Sequence, residues 1–140
     1  MKHLLILSIL FFSFQVKADT IDYCHVYYNS IKILDINFFQ SNELVLKLDS
    51  IKSSDSITIR YFRDTPCFDC PTKLIIENEK HHSFFSSENV GTSSPLTFSV
   101  QQLVELHKQG YEQRFELYYT EGIPESRTGR QFVLRLKLEK

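Results

Sequence analysis

The stretch 131–139, QFVLRLKLE, is the clearest indication of the fold because an apolar side chain recurs at every second position along it. The apolar residues that share one face of the extended chain are Phe132, Leu134, Leu136 and Leu138. A period of two is typical of a β-strand that buries one face and exposes the other. This stretch is therefore predicted to be a strand of a sheet that covers a core.

The same alternation recurs through the rest of the chain. It marks four further candidate strands, at 43–49, 57–61, 73–77 and 115–119. Residues 31–39 are predicted to form a further strand, because this segment contains β-branched isoleucines, which favour extended backbone. The pattern of residues 21–28 leaves helix and strand open. Parallel sheets covered by helices need strands that are apolar on both faces, so these one-sided strands favour antiparallel pairing. The chain is predicted to be mainly β, an antiparallel β-sandwich that is immunoglobulin-like or similar.

One segment has the pattern of a short helix. The residues whose spacing of three, four and seven places them on one helical face are Val100, Leu103, Val104 and His107. Ser99 and Gln102 fit a capping box at the start, and Gly110 suits the left-handed residue that ends a helix. A single crossing helix is therefore predicted near residues 100–109.

The first 18 residues have the pattern of a secretory signal peptide. A basic start precedes an apolar run from Leu4 to Phe14, and Ala18 supplies a small residue at the cut before Asp19. The run is too short to span a hydrocarbon layer of about 30 Å. We therefore predict a signal peptide at 1–18, a single β-sandwich domain at 19–140, and a secreted or periplasmic location with no membrane span.

Charge and motif content argue against several functions. The chain has 16 basic and 17 acidic residues, and removal of Lys2 and Lys17 with the signal would leave a net charge of −3. An acidic surface does not favour nucleic acid. The sequence has no Gly-x-Ser-x-Gly elbow, no His-Glu-x-x-His pair and no glycine-rich phosphate loop. Neither hydrolytic chemistry nor a bound cofactor is therefore predicted.

Three cysteines cannot all pair within one chain, so a disulfide is expected between two of Cys24, Cys67 and Cys70. A bridge from Cys67 to Cys70 closes a very small loop and stabilises the fold by at most about 2 kcal/mol. A bridge from Cys24 to either of them closes roughly 45 residues and contributes about 4 kcal/mol. Chain entropy therefore favours Cys24 with one of the pair. The remaining thiol would then be free to link two chains in a disulfide-bonded dimer, and the sequence does not fix the oligomeric state.

The Cys67-x-x-Cys70 pair also has a catalytic interpretation, with Cys67 as nucleophile and Cys70 as resolving thiol. The strand candidate 56–63 that leads into the motif and the turn Gly122-Ile123-Pro124 resemble the thioredoxin family, which implies thiol–disulfide exchange. The chain departs from that family after Cys70, because residues 72–77 have the pattern of a strand where a redox pair begins a helix. This oxidoreductase function is the alternative hypothesis.

A zinc site would add His81 and His82 to Cys67 and Cys70, with Cys24 or His25 as a spare ligand. The two histidines are adjacent in the sequence. Adjacent residues of a strand point to opposite faces, so both imidazoles would rarely reach one metal ion. No metal site is predicted.

Aromatic doublets are the clearest candidates for a binding surface, because one member of each doublet in a strand faces outward. The candidate binding residues are Tyr28, Phe85 and Tyr118 from the doublets, with Arg127 and Arg130 from a predicted loop at 121–130. A second exposed loop is predicted at 88–95. The sequence thus predicts an exported binding module without catalytic activity, such as an accessory or inhibitor protein of the cell envelope, whose partner is a protein or a glycan.

Signal cleavage is tested by the intact mass of protein recovered from the export compartment of a secreting host. Removal of 18 of the 140 residues should leave a chain of 122 residues that begins at Asp19. Replacing Ala18 with a bulky residue such as tyrosine should block or move the cut, because the enzyme needs a small side chain there. Recovery of the uncut chain from wild type would contradict the prediction.

Overall fold

The computed structural model describes residues 22–38, 40–111, 113–122 and 129–140. The signal segment 1–18, its cut and Arg127 lie outside the described residues. The strands within the described part are β1 (Tyr23–Tyr28), β2 (Ile31–Asn37), β3 (Glu43–Lys47), β4 (Ser56–Phe62), β5 (Pro71–Glu77), β6 (Ser83–Val90), β7 (Leu96–Ser99), β8 (Arg114–Glu121) and β9 (Arg130–Glu139), and the helix is α1 (Val100–Lys108).

The strands form two sheets that pack face to face. The smaller sheet has the order β2-β1-β4-β7, and the larger has the order β3-β9-β8-β5-β6. The pairs are antiparallel except β3 with β9, which run parallel. The prediction of a mainly β sandwich is confirmed, and its immunoglobulin-like variant stays a prediction. Among the described residues, no helix has the length and apolarity that crossing a membrane requires.

The core lies between the two sheets and is filled by the inward face of each strand. The smaller sheet contributes Cys24, Val26, Ile36, Ile57, Ile59, Tyr61, Leu96 and Phe98, and the larger contributes Leu74, Ile76, Phe115, Leu117, Tyr119, Val133, Leu134, Leu136 and Leu138. Burying one such side chain contributes about 1.5–3 kcal/mol, so the alternating pattern drives the assembly of the sandwich.

One residue of the stretch 131–139 breaks the predicted alternation. The pairing of β8 with β9 shifts by one residue, so that Leu117 lies opposite Leu134 but Tyr118 lies opposite Phe132. The extra residue is Val133, which is buried beside Leu134. This β-bulge turns Phe132 to the outer face, so the expectation of an inward Phe132 is wrong.

Helix α1 begins and ends where the sequence predicts. Ser99 is its N-cap, and the Ser99 hydroxyl accepts a hydrogen bond from the Gln101 backbone N–H at 3.2 Å. Gly110 follows the helix with a φ of +83°, the left-handed conformation that glycine adopts without strain. Val100 and Leu103 are buried in the core. The helix therefore closes one margin of the sandwich.

Two strands occupy segments that the sequence left open or assigned to a loop. The ambiguous segment 21–28 contains β1, which a tight turn joins to β2. Asn29 and Ser30 in this turn have φ angles of +49° and +69°, as a two-residue hairpin requires. The predicted loop at 88–95 is wrong in its first part, because β6 continues to Val90. Strand β6 lies at the edge of the larger sheet, and its second half carries serine, glutamate and asparagine side chains. A strand this polar lacks the alternating apolar residues by which the other strands were predicted.

The carboxylate of Asp55 joins the β1–β2 turn to the start of β4. Asp55 is 4% exposed and accepts hydrogen bonds from the Tyr28 hydroxyl, the Asn29 side-chain amide and the Lys52 backbone N–H at 2.6 to 2.8 Å. Its backbone carbonyl accepts a further bond from the Val100 N–H at the start of α1. The Lys52 N–H, together with Tyr28 and Asn29, holds the pKa of Asp55 below its ordinary value.

Replacing Asp55 with asparagine should destabilise the fold, because an amide nitrogen would replace one of the two carboxylate oxygens. Its N–H groups would then face either the Asn29 amide donor or the Tyr28 and Lys52 donors. We expect the melting temperature at neutral pH to fall by a few degrees. Since folding lowers the pKa of Asp55, its ionised form stabilises the protein above the unfolded-state pKa of about 3.9, and this stabilisation is lost as the pH falls through the folded-state value. Melting curves should therefore converge below about pH 4. The exposed Asp49→Asn variant is the control, and a pH-independent gap for Asp55→Asn would contradict the prediction.

Candidate functional site

The outer face of the smaller sheet carries a set of aromatic and polar side chains that we call the aromatic face. Cross-strand pairing arranges it in three rows, which are Asn37–Tyr23–Phe62, Asp35–His25–Arg60, and Lys32–Tyr27–Thr58–Thr97. Ile33 occupies the β-bulge of β2 beside the third row. These residues share a face because each strand places every second side chain outward.

Contacts among the rings fix the first two rows of the aromatic face. The Tyr23 and Phe62 rings stack with centroids 4.8 Å apart and planes 11° apart. The His25 ring lies 4.8 Å from Phe62, and His25 Nε2 lies 3.2 Å from an Asp35 carboxylate oxygen. The imidazole is thus held between an aromatic ring and a carboxylate, which restricts its rotamers.

A groove of about 430 Å³ runs along the third row of the aromatic face. Its lining residues are Tyr27, Ser30, Thr58, Arg60, Pro95 and Thr97. The hydroxyls of Thr58 and Thr97 are 2.8 Å apart and hydrogen-bond to each other. The groove therefore combines an aromatic ring and a proline ring with four hydroxyls and a guanidinium.

The structure corrects the sequence prediction for two of the three doublet residues. Tyr28 faces inward, and its neighbour Tyr27 lines the outer groove instead. Burial and the hydrogen bond to Asp55 raise the pKa of Tyr28 to about 12. Phe85 also packs inward, 5.8 Å from Phe98, because a bulge at Phe84 turns both rings of that doublet toward the core. Neither Tyr28 nor Phe85 is an exposed aromatic anchor.

Tyr118 faces outward as predicted but is enclosed by its neighbours on the larger sheet. The Arg130 guanidinium lies over its ring at 4.6 Å, and the Phe132 ring meets it edge-on at 5.6 Å. Arg130 is also paired at 2.5 Å with Glu77, a fully buried carboxylate that accepts a hydrogen bond from the Ser83 hydroxyl. Arg130 and Tyr118 thus belong to a charge network that covers this outer face.

The disulfide joins Cys67 to Cys70, and Cys24 is free. The expectation of a long bridge from Cys24 is wrong, because Cys24 lies fully buried between the sheets while Cys67 and Cys70 lie in the β4–β5 loop. Burial raises the pKa of the Cys24 thiol to about 12. A bridge to a second chain through Cys24 would require the sandwich to open, so the expected dimer through a free thiol has no accessible sulfur.

The disulfide loop is held by the backbone as well as by its sulfur atoms. The Cys67 N–H donates to the Thr92 hydroxyl at 2.7 Å, and the Thr92 N–H donates to the Cys67 carbonyl at 2.9 Å. The Gly91 N–H donates to the Cys70 carbonyl at 2.9 Å. Gly91 has a φ of +94°, and a Cβ there would lie 3.1 Å from the Phe68 carbonyl oxygen. Glycine is therefore required for this close approach.

A cleft of about 220 Å³ lies near the disulfide at one end of the sandwich, and we call it the tyrosine cleft. Its lining residues are Asp22, Tyr61, Arg63, Tyr119, Glu121, Gly129, Arg130 and Gln131. The Tyr61 and Tyr119 rings stack across the two sheets at 4.1 Å and donate to Asp22 and Glu121. Burial first, and then the adjacent carboxylates, raise the pKa of both tyrosines, so both hydroxyls remain donors.

The cysteines and the histidines are not brought together for a metal site of the kind considered from the sequence. His81 lies 3.3 Å from Glu77 in the β5–β6 turn. Within the part of the chain that the structure describes, the residues close enough to share a metal ion are Cys67, Cys70 and Glu121. Nothing in the sequence pattern pointed to Glu121, because its place beside the loop depends on the pairing of β5 with β8.

Comparison with models of known protein families, with curated proteins and with solved structures gave no match in any of the three cases.

The cysteine arrangement predicts a specific thiol titration. The oxidised native protein should show no fast-reacting thiol, because Cys24 is buried and the other sulfurs are bonded to each other. Unfolding in guanidinium without reductant should release one thiol per chain, and peptide mapping should place Cys67 and Cys70 in one linked fragment. A Cys24→Ser variant should give no thiol in either state. A peptide that links Cys24 to Cys67 or Cys70 would contradict this arrangement.

Proposed function

We propose that the protein is an exported binding module without catalytic activity, and that it holds a glycan in the groove of the aromatic face. The observation that carries this proposal is the lining of that groove, in which the Tyr27 ring lies beside the hydroxyls of Thr58 and Thr97 and the Arg60 guanidinium. Export is supported by the signal-peptide pattern of residues 1–18.

The groove matches the amphipathic surface of a sugar ring. A sugar presents C–H groups on its faces and hydroxyls around its edge, so it needs an apolar platform rimmed by donors and acceptors. Tyr27 and Pro95 supply the apolar surface, while Ser30, Thr58 and Thr97 supply hydroxyls. Arg60 adds donors that suit ring oxygens or the carboxylate of an acidic sugar.

The site is held in place before a ligand arrives. Tyr27, Thr58 and Thr97 stand on three neighbouring strands whose register is fixed by the core on the opposite face. The hydrogen bond between the two threonines restricts their rotamers. Side chains on a rigid sheet lose little conformational entropy on binding, which favours affinity for a small polar ligand.

A glycan fits this face better than a flat protein surface does. The exposed apolar residues Tyr23 and Ile33, at 42% and 39% exposure, lie near opposite ends of the face. The charged row of Asp35, His25 and Arg60 lies between those two ends. A protein partner typically buries a continuous apolar centre with a polar rim, and here the centre is polar.

The rival function, thiol–disulfide exchange at Cys67 and Cys70, has weaker support. Strand β5 begins at Pro71, directly after Cys70, so no helix N-terminus stabilises a thiolate there. The carboxylate of Glu121, which lies within 4.8 Å of the two sulfurs, opposes formation of a thiolate by charge repulsion. The geometry therefore favours a binding module over a redox enzyme.

The proposal is tested on a glycan array followed by titration calorimetry with the best ligand. Replacing Tyr27 with alanine should weaken binding by roughly tenfold or more, the loss typical of an aromatic anchor. Arg60→Ala should weaken binding most for acidic sugars. The matched control is Tyr111→Ala, since Tyr111 is 50% exposed but lies beyond α1, away from the groove.

Two results would overturn the proposal. One is a folded wild-type protein that binds no glycan on the array. The other is glycan binding that Tyr27→Ala and Arg60→Ala leave unchanged. Binding of an unglycosylated protein through the aromatic face, lost in the same variants, would instead identify a protein-recognition module.

A further inference from the structure

Three potential metal ligands converge at the end of the sandwich. The sulfur atoms of Cys67 and Cys70 and one carboxylate oxygen of Glu121 all lie within 4.8 Å of one another. Two thiolates and a carboxylate around one Zn²⁺ would place the sulfurs about 2.3 Å and the oxygen about 2.0–2.2 Å from the ion. Ligand atoms already this close can reach such positions by rotation of side chains alone.

The backbone of the disulfide loop is held by hydrogen bonds in addition to the sulfur–sulfur bond. The Cys67 N–H donates to the Thr92 hydroxyl, and the Thr92 N–H donates to the Cys67 carbonyl. The Gly91 N–H donates to the carbonyl of Cys70. None of these bonds involves a sulfur atom, so we expect them to remain when the disulfide is reduced. The two thiols would therefore stay side by side, at the Cys-x-x-Cys spacing that binds one metal ion through both sulfurs.

Glu121 is also held in place. It pairs with Thr72 across β8 and β5, and the N–H of Gly122 donates to the carbonyl of Pro71 at 2.9 Å. One of its carboxylate oxygens accepts a hydrogen bond from the Tyr119 hydroxyl at 2.7 Å, and the other accepts one from the Arg63 guanidinium at 3.2 Å. Hydrogen bonds of this kind orient the carboxylates that ligate metals.

We propose that reduction of the Cys67–Cys70 disulfide creates a binding site for a divalent cation of the zinc class, with Cys67, Cys70 and Glu121 as its ligands. Two thiolates beside this carboxylate would carry three negative charges, of which the Arg63 guanidinium that hydrogen-bonds to Glu121 offsets one. A divalent cation offsets that excess. The disulfide and the cation exclude each other, so the site is controlled by the redox state of the loop.

The reaction balances with a dithiol as the reductant. The dithiol transfers two electrons and two protons to the disulfide, which becomes two thiols, and the dithiol leaves as its own disulfide. Binding of the cation then releases both thiol protons to water as two metal–sulfur bonds form. Glu121 binds as the carboxylate and releases no proton.

The tyrosine cleft supplies the remaining coordination position. Glu121 lines this cleft, so a water molecule or a small anion has a path to a fourth position on the cation. Among the described residues the site has three protein ligands and one open position, which is the arrangement of an exchangeable or reactive metal site. A structural zinc site would instead be closed by a fourth protein ligand.

The test uses Co²⁺ as a spectroscopic probe for Zn²⁺. The protein is reduced with a dithiol, freed of reductant by anaerobic gel filtration, checked for folding by circular dichroism, and titrated with Co²⁺. We expect one equivalent to bind, with a sulfur-to-cobalt charge-transfer band that Zn²⁺ abolishes. The oxidised protein should give no such band. A reduced, folded protein without the band overturns the proposal, as does a protein that unfolds on reduction.

Variants separate this site from other thiols and carboxylates. Cys67→Ser should abolish the charge-transfer band, and Glu121→Gln should weaken Co²⁺ binding by about tenfold or more while keeping the band. The control for the thiol is Cys24→Ser, and the control for the carboxylate is Glu105→Gln, since Glu105 is exposed on α1 and does not line the cleft. Both controls should bind as wild type does. Loss of the band in Cys24→Ser, or an unchanged affinity in Glu121→Gln, would overturn the ligand set.

Discussion

The buried carboxylate of Asp55 is the interaction on which the arrangement of the smaller sheet depends. The carboxylate accepts hydrogen bonds from Tyr28 and the β1–β2 turn and from the segment before β4. The backbone carbonyl of Asp55 accepts a hydrogen bond from the first N–H of α1. A carboxylate removed from water is tolerated only when its oxygens are satisfied, so these three segments must meet in one way. These contacts reinforce the register of β1 against β4 that the buried core faces set, and with it the rows of the aromatic face.

That register gives the molecule two different surfaces from one repeating pattern. The inward half of each strand fills the core, which leaves the outward half of β1, β4 and β7 free to form a continuous face. The disulfide loop, in contrast, is positioned by bonds to the β6–β7 connection and by the β5–β8 pairing. The aromatic face follows from the alternation of side chains along the strands, whereas the disulfide loop follows from contacts between loops. A substitution at one of these surfaces therefore need not disturb the other.

The sequence predicted elements well where a single physical signal dominates. Alternation located most of the strands, and a cap, an apolar stripe and a glycine located α1. Two β-bulges, at Val133 and Phe84, reversed the direction of neighbouring rings, and no local pattern marks such an insertion. The entropy of loop closure favoured a long disulfide, but it ignores whether the two sulfurs can meet. Cys24 faces the core, so geometry decides against it. Glu121 was missed because its role depends on the partner of its strand.

The parallel pairing of β3 with β9 has a consequence for how the chain reaches this structure. Strand β9 lies between β3 and β8, so the larger sheet stays incomplete until β9 has paired with both neighbours. Contacts between such distant segments form slowly, because a long loop must close before they contribute. We therefore expect the joining of β3 to β9 to come later in folding than closure of the local β1–β2 hairpin.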